Sequence, residues 1–429
     1  MRGKSDKKKS LVPRLRFPEF REAGAWEEKK IEDYFSVRSS KRVLQKDWKT
    51  HGVPFYRTRE LVSLYNNEPF SSEIFISEEL FSEIAKKYGF PSEGDFLVSG
   101  VGTLGICYQV KAKDKFYFKD GNVLWYKQNG GIVSSFFYYC FHSDQIQNQI
   151  LGQASISTVG TYTIQNAKVT KFLCPTVEKE QQKIAHCLSS LDEVMGLQAK
   201  KVQALKQHKK GLMQQLFPAE GETTPRLRFP DFREAGAWEV RRLGEIGKIS
   251  KGKGISKSDI KPNGALPCIR YGELYTHYGE VIRDVVSFTD ANPGNLVLSE
   301  ENDVIIPASG ETKEDIATAS CVSVKGVALG GDLNIFYSPM NGMFLAYYIR
   351  GNLKFEISKV AQGNSVVHLY TTQLEKLKLA VPPYPKEQQK IAHCLSSLDE
   401  VIGLESHKLD ALKNLKKGLM QQLFPQEVA

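Results

Sequence analysis

Long apolar runs are missing from this chain. The longest uninterrupted ones are a few residues, far short of the roughly 20 needed to cross a bilayer, so neither a membrane span nor a signal peptide is expected. Cysteine is sparse. Seven are scattered through 429 residues, odd in number and with no Cys-x-x-Cys pair, which argues against a disulfide framework and for a reducing cytoplasm. Charge of one sign is not in great excess either: 58 Lys and Arg against 49 Asp and Glu leave a net +9. That modest basic balance suits a polyanionic partner without requiring one. The length allows two or three domains with sizeable cores.

What the chain does have is repetition. Lys179–Val194, KEQQKIAHCLSSLDEV, returns unchanged as Lys386–Val401, and Lys209–Pro218, KKGLMQQLFP, returns as Lys416–Pro425. Through these blocks the apolar residues alternate by threes and fours: Ile184, Leu188, Leu191, Met195, Val202, Leu205, Leu212 and Leu216. The second copy places Ile391, Leu395, Leu398, Ile402, Leu409, Leu412, Leu419 and Leu423 in the same slots. Such a seam predicts a coiled-coil helix rather than the broader apolar face of a core helix. Each helix should span roughly 55–60 Å, and two matching seams in one chain most simply pair with each other. Polar interruptions fall at matching positions too, Gln198 and Lys209 against Glu405 and Lys416.

A leader also repeats. Pro13–Glu27, PRLRFPEFREAGAWE, recurs as Pro225–Glu239 with only Glu19 changed to Asp231. The layout is thus a basic tail (1–12), a first globule with its leader (13–177), a central coiled-coil helix (178–217), a second globule (218–384) and a distal helix (385–425). The blocks between leader and helix share almost no sequence but share an order of signals. Each has an acidic residue, an apolar run and Ser-Gly, at Asp95–Gly100 and Asp303–Gly310. Short β-rich runs follow, at Tyr117–Phe118, Val123–Tyr126 and Leu333–Tyr337. Then comes apolar spacing of a helix, at Val133, Phe136, Phe137, Cys140 and at Met343, Phe344, Tyr347, Tyr348. Gly- and Ser-rich loops, Gly152–Gly160 and Gln362–Ser365, precede the long helices. The fold class expected is α+β: two α+β domains separated by two long paired helices, as a pseudo-two-fold internal repeat.

Motifs that would carry chemistry fail on context. Gly100–Gly105 fits G-x-G-x-x-G, but Ile106–Val110 continues as a strand where a dinucleotide site needs a helix N-terminus, so a hairpin turn is expected. Gly247–Lys253 resembles a phosphate loop, yet Gly254 stands where a magnesium ligand belongs. The cluster Lys248, Lys251, Lys253 and Lys257 better suits a loop along a phosphate backbone, with a solvated charged loop as the plain alternative. Val381-Pro-Pro-Tyr384 lacks the polar side chain that an amino-methyltransferase site requires. Asp303 with Glu311-Thr-Lys313 has the spacing of a nuclease, but Gly310 and Thr312 suggest a turn. His186-Cys187 and its copy His393-Cys394 point about 100° apart on a helix and cannot chelate a metal alone. No catalytic or metal residue is therefore assigned.

A distribution remains. Basic and aromatic residues gather in the blocks: Arg38, Lys41, Arg42, Tyr56, Arg57 and Arg59 in the first, Lys251, Lys253, Lys257, Arg270, Tyr271, Tyr275 and His277 in the second. The strand ends add Ser99, Gly100, Ser309 and Gly310. The late loops add Gln153, Ser155 and Ser157, then Gln362, Asn364, Ser365 and His368. These are the residue types that meet phosphates and base edges.

Together these features resemble the specificity subunit of type I restriction–modification systems. The likeness rests on the Lys-Glu-Gln-Gln-Lys-Ile-Ala helix starts at Lys179 and Lys386, preceded by Cys174-Pro175 and Val381-Pro-Pro383. The Trp26 and Trp238 starts, the Asp-apolar-Ser-Gly strand ends and the alternation of variable and repeated regions add to it, over essentially all of residues 13–425. The first helix start departs slightly, lacking a second proline. The resemblance implies two target recognition domains, each reading half of a bipartite site in double-stranded DNA. It implies antiparallel helices that bind two modification subunits, with restriction subunits joining. S-adenosylmethionine, ATP and magnesium would belong to those partners, and this chain would carry no catalysis. The rival readings are a self-sufficient DNA methyltransferase or nuclease, which needs a site that every motif above fails to supply, and a coiled-coil scaffold indifferent to DNA, which leaves two unlike globules unexplained.

Overall fold

A computed structural model describes residues 11–66, 68–154, 160–363 and 366–425. The chain forms two compact units, residues 1–197 with 408–429, and residues 198–407. The two long helices, Glu178–Leu216 and Pro385–Leu423, are divided between the units, so each unit is a globule with half of each helix. At 39 residues each they are about 58 Å long. Compactness thus follows a different partition from the expected sequence of separate globules and helices.

In unit 1 the strand after the leader, Glu27–Lys30, pairs antiparallel with Lys171–Cys174, just before the first long helix. In unit 2 Glu239–Arg242 pairs in the same way with Lys378–Val381. Unit 1 has a four-stranded sheet in the order Phe35–Arg38, Val123–Gln128, Phe96–Ser99, Cys107–Gln109. Unit 2 repeats it as Lys248–Lys251, Leu333–Tyr337, Asp303–Pro307, Ser320–Val322, and adds Val281–Ile282 at the edge. A second, smaller sheet also recurs. Val53–Tyr56 runs parallel to Tyr117–Phe118 and antiparallel to Phe75–Ile76; Leu266–Ile269 runs parallel to Ala328–Leu329 and antiparallel to Ser287–Thr289. The expected helices are Ser134–Phe141 and Gly342–Asn352, whose Phe136, Phe137, Phe344 and Tyr347 are fully buried. Two globules without common sequence therefore share one topology.

The repeated segments explain how each globule is held. Glu180 at the start of the first long helix is 1% exposed and accepts from Arg16 Nε and Nη2 of the leader at 2.8 and 2.7 Å, and from Trp26 Nε1 at 3.2 Å. Glu387 accepts from Arg228 at 2.7 and 2.8 Å. The neighbouring Gln181 and Gln388 accept the backbone N–H of Val133 and Asn341, at the N-termini of the block helices. Leu15 N–H donates to Gln422 O, and Leu227 N–H to Gln215 O. The final Phe of each ten-residue repeat, Phe424 or Phe217, is buried against the leader tryptophan.

The seam is closed at the helix starts and again toward their ends, where Leu216 and Leu423 are 2% and 1% exposed, with Val202 and Ile402 buried between. Ile184, Leu188, Ile391 and Leu395 are buried, while Leu191, Leu205, Leu212, Leu398, Leu412 and Leu419 are half-buried. The polar interruptions are paired. Lys416 reaches Asp192 at 2.6 Å in unit 1, and in unit 2 Lys209 reaches Asp399 and Gln198 reaches Glu405. The register rises in one helix as it falls in the other, so the pair is antiparallel. Tyr139 and Tyr347 donate their hydroxyls to Asp192 and Asp399, tying the block helix of each unit to its long helices. Burial first, and then the carboxylate, push both phenols well above their ordinary range.

Candidate nucleic-acid interface

Strand ends place most of the candidate residues. Arg38 ends its strand exposed, its guanidinium 5.8 Å over the Trp125 ring, and Trp125 in turn donates to the buried Asp95 at 2.9 Å. Lys41 and Arg42 follow, exposed, the first 5.5 Å from the Tyr88 ring and the second bonded to Asp120 at 2.8 Å. Arg57 and Arg59 come together on one carboxylate. Glu60, 2% exposed, accepts from Arg57 N and Nε at 2.9 Å each, from Arg57 Nη2, and from Arg59 Nε at 2.7 Å. Burial alone would raise the Glu60 carboxyl, but the hydrogen bonds from Arg57 and Arg59 outweigh it and hold the group below its ordinary range.

In unit 2 Arg270 follows Ile269 as Arg57 follows Tyr56. Its backbone N–H and Nη2 donate to Glu273 at 3.1 and 3.2 Å, and Ser287 Oγ donates to the same carboxylate at 2.6 Å. Arg270 and Lys257 line one cavity of about 350 Å³. Tyr271, half-buried, lies 6.4 Å from the Tyr275 ring.

Several placements differ from the sequence reading. Gly247–Lys253 is not a free loop: Lys248–Lys251 is an edge strand paired with Leu333–Tyr337, and Lys257 sits in a 3-10 turn. Lys251, Lys253 and Lys257 are nonetheless exposed. The glycines there serve close approach, since a Cβ on Gly252 would lie 2.0 Å from Gly330 O. Gln153 lies on the Asp144–Ala154 helix rather than in a loop. Ser99 is fully buried and its hydroxyl is spent on the turn, accepting from Ile106 N–H and donating to Thr103 O. Gly100 is buried beside it. The G-x-G-x-x-G stretch is the expected hairpin between Phe96–Ser99 and Cys107–Gln109, with Gly102 and Gly105 at φ of 82° and 72°. Ser309 and Gly310 are also buried, in a short strand that pairs with Val367–His368, and Ser309 Oγ lies 3.1 Å from His368 Nδ1. Gln362 forms an isolated bridge with His368. Ser155, Ser157, Asn364 and Ser365 lie outside the described residues.

Glu60 and Glu273 are the residues that sequence reasoning missed. A signal was present: Arg57-x-x-Glu60-Leu61 and Arg270-x-x-Glu273-Leu274 share a spacing in blocks that share little else. No group of three or more His, Cys, Asp or Glu among the described residues could hold a metal, and no helix there is long and apolar enough to cross a membrane.

Two like-folded globules with unlike sequence, each clamped to a repeated leader and helix, define a protein built as an internal repeat of two modules. The profile of the type I restriction modification DNA specificity domain matches residues 24–207 and 236–414, and the chain belongs to that family. It is 24% identical over 410 residues to the type I restriction enzyme MjaIX specificity subunit of Methanocaldococcus jannaschii, covering 93% of this chain and 92% of that one. The MjaVIII specificity subunit of the same organism is 25% identical over 305 residues, 67% of this chain and 69% of the relative. In fold the chain resembles the crystal structure of a type I restriction–modification S subunit from M. genitalium. There the TM-score is 0.61 at 16% identity, over 97% of this chain and all of the other.

Proposed function

We propose that this chain is the DNA-reading subunit of a type I restriction–modification complex, each globule reading one half of a bipartite site in duplex DNA. The observation that carries this reading is one topology in two globules of unlike sequence, each fixed by the same leader, glutamate and glutamine. A DNA reader needs diversity where it meets bases and constancy where it meets fixed partners. The repeated helices offer two equivalent surfaces, which suits two copies of a modification subunit, with restriction subunits joining that assembly. The chain itself supplies recognition and no catalysis; S-adenosylmethionine, ATP and magnesium belong to the partners.

The test is an exchange. Residues 28–177 are replaced by the matching block of another family member, and the modified sites in genomic DNA are mapped with the partner subunits present. One half of the recognised site should change and the other should stay. A change in both halves, or in neither, contradicts one globule per half-site. Methyl transfer by the purified chain alone would contradict the non-catalytic assignment.

A further inference from the structure

The two Arg-x-x-Glu corners share more than a spacing. Each arginine is the first residue after the strand that pairs in parallel within the smaller sheet. Each glutamate is buried, at 2% and 7% exposure, and each is followed by a fully buried leucine, Leu61 or Leu274. Both corners are faced by the same kind of turn. Gln45–Asp47 leads to Trp48 and Lys49, and Lys257–Asp259 leads to Ile260 and Lys261. The Arg57 guanidinium lies 5.8 Å over the Trp48 ring.

Polar groups able to donate remain unpartnered at both corners. Trp48 Nε1 and Thr58 Oγ1 in unit 1, and Arg270 Nε in unit 2, are buried with no hydrogen-bond partner among the described residues. A buried donor without a partner is costly unless a ligand brings an acceptor. In unit 2 the cavity beside Arg270 sets Lys257 and Lys261 against an apolar wall of Ile260, Pro262 and Phe288. The ligand that fits has acceptors only, carries negative charge and has an apolar flank. A phosphate on its sugar has that chemistry. Phosphate contacts also carry no sequence information. The same contact can therefore persist in two globules whose other surfaces differ, whereas a base-reading residue would have to differ with them.

Resting on the DNA-reading function above, we propose that these corners are equivalent phosphate-binding sites, each taking a backbone phosphate of duplex DNA. Arg57 and Arg270 make the contact, helped by Lys49 and by Lys257 with Lys261. Glu60 and Glu273 are positioning residues: Glu60 holds the Nε–Nη2 edge of Arg57, Glu273 holds Nη2 of Arg270, and the remaining N–H groups are left for the ligand.

The test uses the full chain with its modification subunits, a duplex bearing the recognised site and an unrelated duplex, and binding measured across a salt titration. Arg270→Gln should weaken binding to both duplexes by roughly tenfold or more and flatten the salt dependence by about one unit of slope. Lys261→Gln, at an exposed position and safe for folding, should flatten it as well with a smaller loss. Glu273→Gln keeps the arginine charge, so affinity should fall several-fold with the slope and the denaturant midpoint unchanged, whereas a loss of fold would move the midpoint. Arg57→Gln should repeat the Arg270 result. Lys325→Gln, an exposed lysine paired with Glu300, should change nothing. Selection from a randomised DNA library supplies the other arm. A shifted base preference in Arg57→Gln or Arg270→Gln would make these base readers and overturn the proposal. Unchanged affinity and slope would overturn it too while leaving DNA reading intact, and a wild-type complex that binds neither duplex would remove both.

Discussion

The two helix starts carry identical sequence, yet their glutamates do not have identical partners. In unit 1 Glu180 satisfies three donors, two from Arg16 and one from Trp26 Nε1. In unit 2 Glu387 takes the two from Arg228, and Trp238 Nε1 is buried without a partner among the described residues. The indole settings differ with the ring that the variable block packs against them: Phe136 meets Trp26 edge-on at 69°, and Phe344 meets Trp238 tilted at 52°. Repeated sequence secures the charge pair in both units, while the neighbouring block decides the hydrogen bond beside it.

The largest effects should come from breaking that pair. Arg16 and Glu180 side chains are 8% and 1% exposed, and Arg228 and Glu387 are 7% and 1%. Removing one partner strands a buried charge at a cost of about 3–5 kcal/mol. Arg16→Ala should therefore loosen unit 1, and Arg228→Ala unit 2, as read by amide hydrogen exchange resolved along the chain. The comparison sharpens with the glutamates. Glu180→Ala also strands Trp26 Nε1, so it should cost about 1 kcal/mol more than Glu387→Ala. Equal losses would mean the Trp26 bond contributes nothing. Replacing Arg16 and Glu180 together by leucine should recover most of the loss.

Next in size is the lysine that interrupts each seam. Lys209, 13% exposed, is held between Asp399 and Glu280, the latter also 13% exposed. Lys416, 22% exposed, has one carboxylate partner among the described residues, Asp192 at 35% exposure, and lies 5.3 Å over the Tyr139 ring. Lys209→Met should cost roughly 2–3 kcal/mol because it leaves two partly buried carboxylates close together, Glu280 at 13% and Asp399 at 28% exposure. Lys416→Met should cost about 1 kcal/mol or less. Denaturant midpoints of the two variants test the ranking, and the reverse order would show that Glu280 adds nothing.

These contrasts also mark where the sequence stops being legible. The long helices could be read because a 3–4 alternation is local and was stated twice. The strands ending in Ser-Gly and the aromatic block helices were local patterns too. The parallel pairing of Val53–Tyr56 with Tyr117–Phe118 joins residues some sixty apart, which no short pattern reports. Lys248–Lys251 reads as a loop because glycines punctuate it, although Gly252 is there to let two backbones meet. Ser99 and Ser309 are DNA-binding candidates by residue type and strand-end position, and only the fold shows their burial. Arg57 and Arg270 were found by their charge. Their glutamates escape the same signal, because negative charge is not what a surface for DNA suggests.

The smallest effect concerns the remaining polar interruption. Gln198 donates from Nε2 to the backbone O of Glu405 at 2.8 Å and to its carboxylate at 2.7 Å, and Lys201 reaches that carboxylate at 3.1 Å. Glu405 is 7% exposed. A polar residue in a seam fixes register at some cost in stability. Replacing Gln198 and Glu405 together by leucine removes both partners at once, so no buried group is stranded, and apolar contact takes their place. The double variant should match the wild type in stability or exceed it by about 1 kcal/mol. Gln198→Leu alone leaves Glu405 with its lysine and one fewer donor, and should lose about 1 kcal/mol. Specificity should move the other way. Cysteines placed at Lys201 and Ser406 should cross-link less uniformly in the leucine pair than in the parent, because neighbouring registers become nearly as good. A double variant that is both less stable and equally uniform would show that the pair serves stability rather than register.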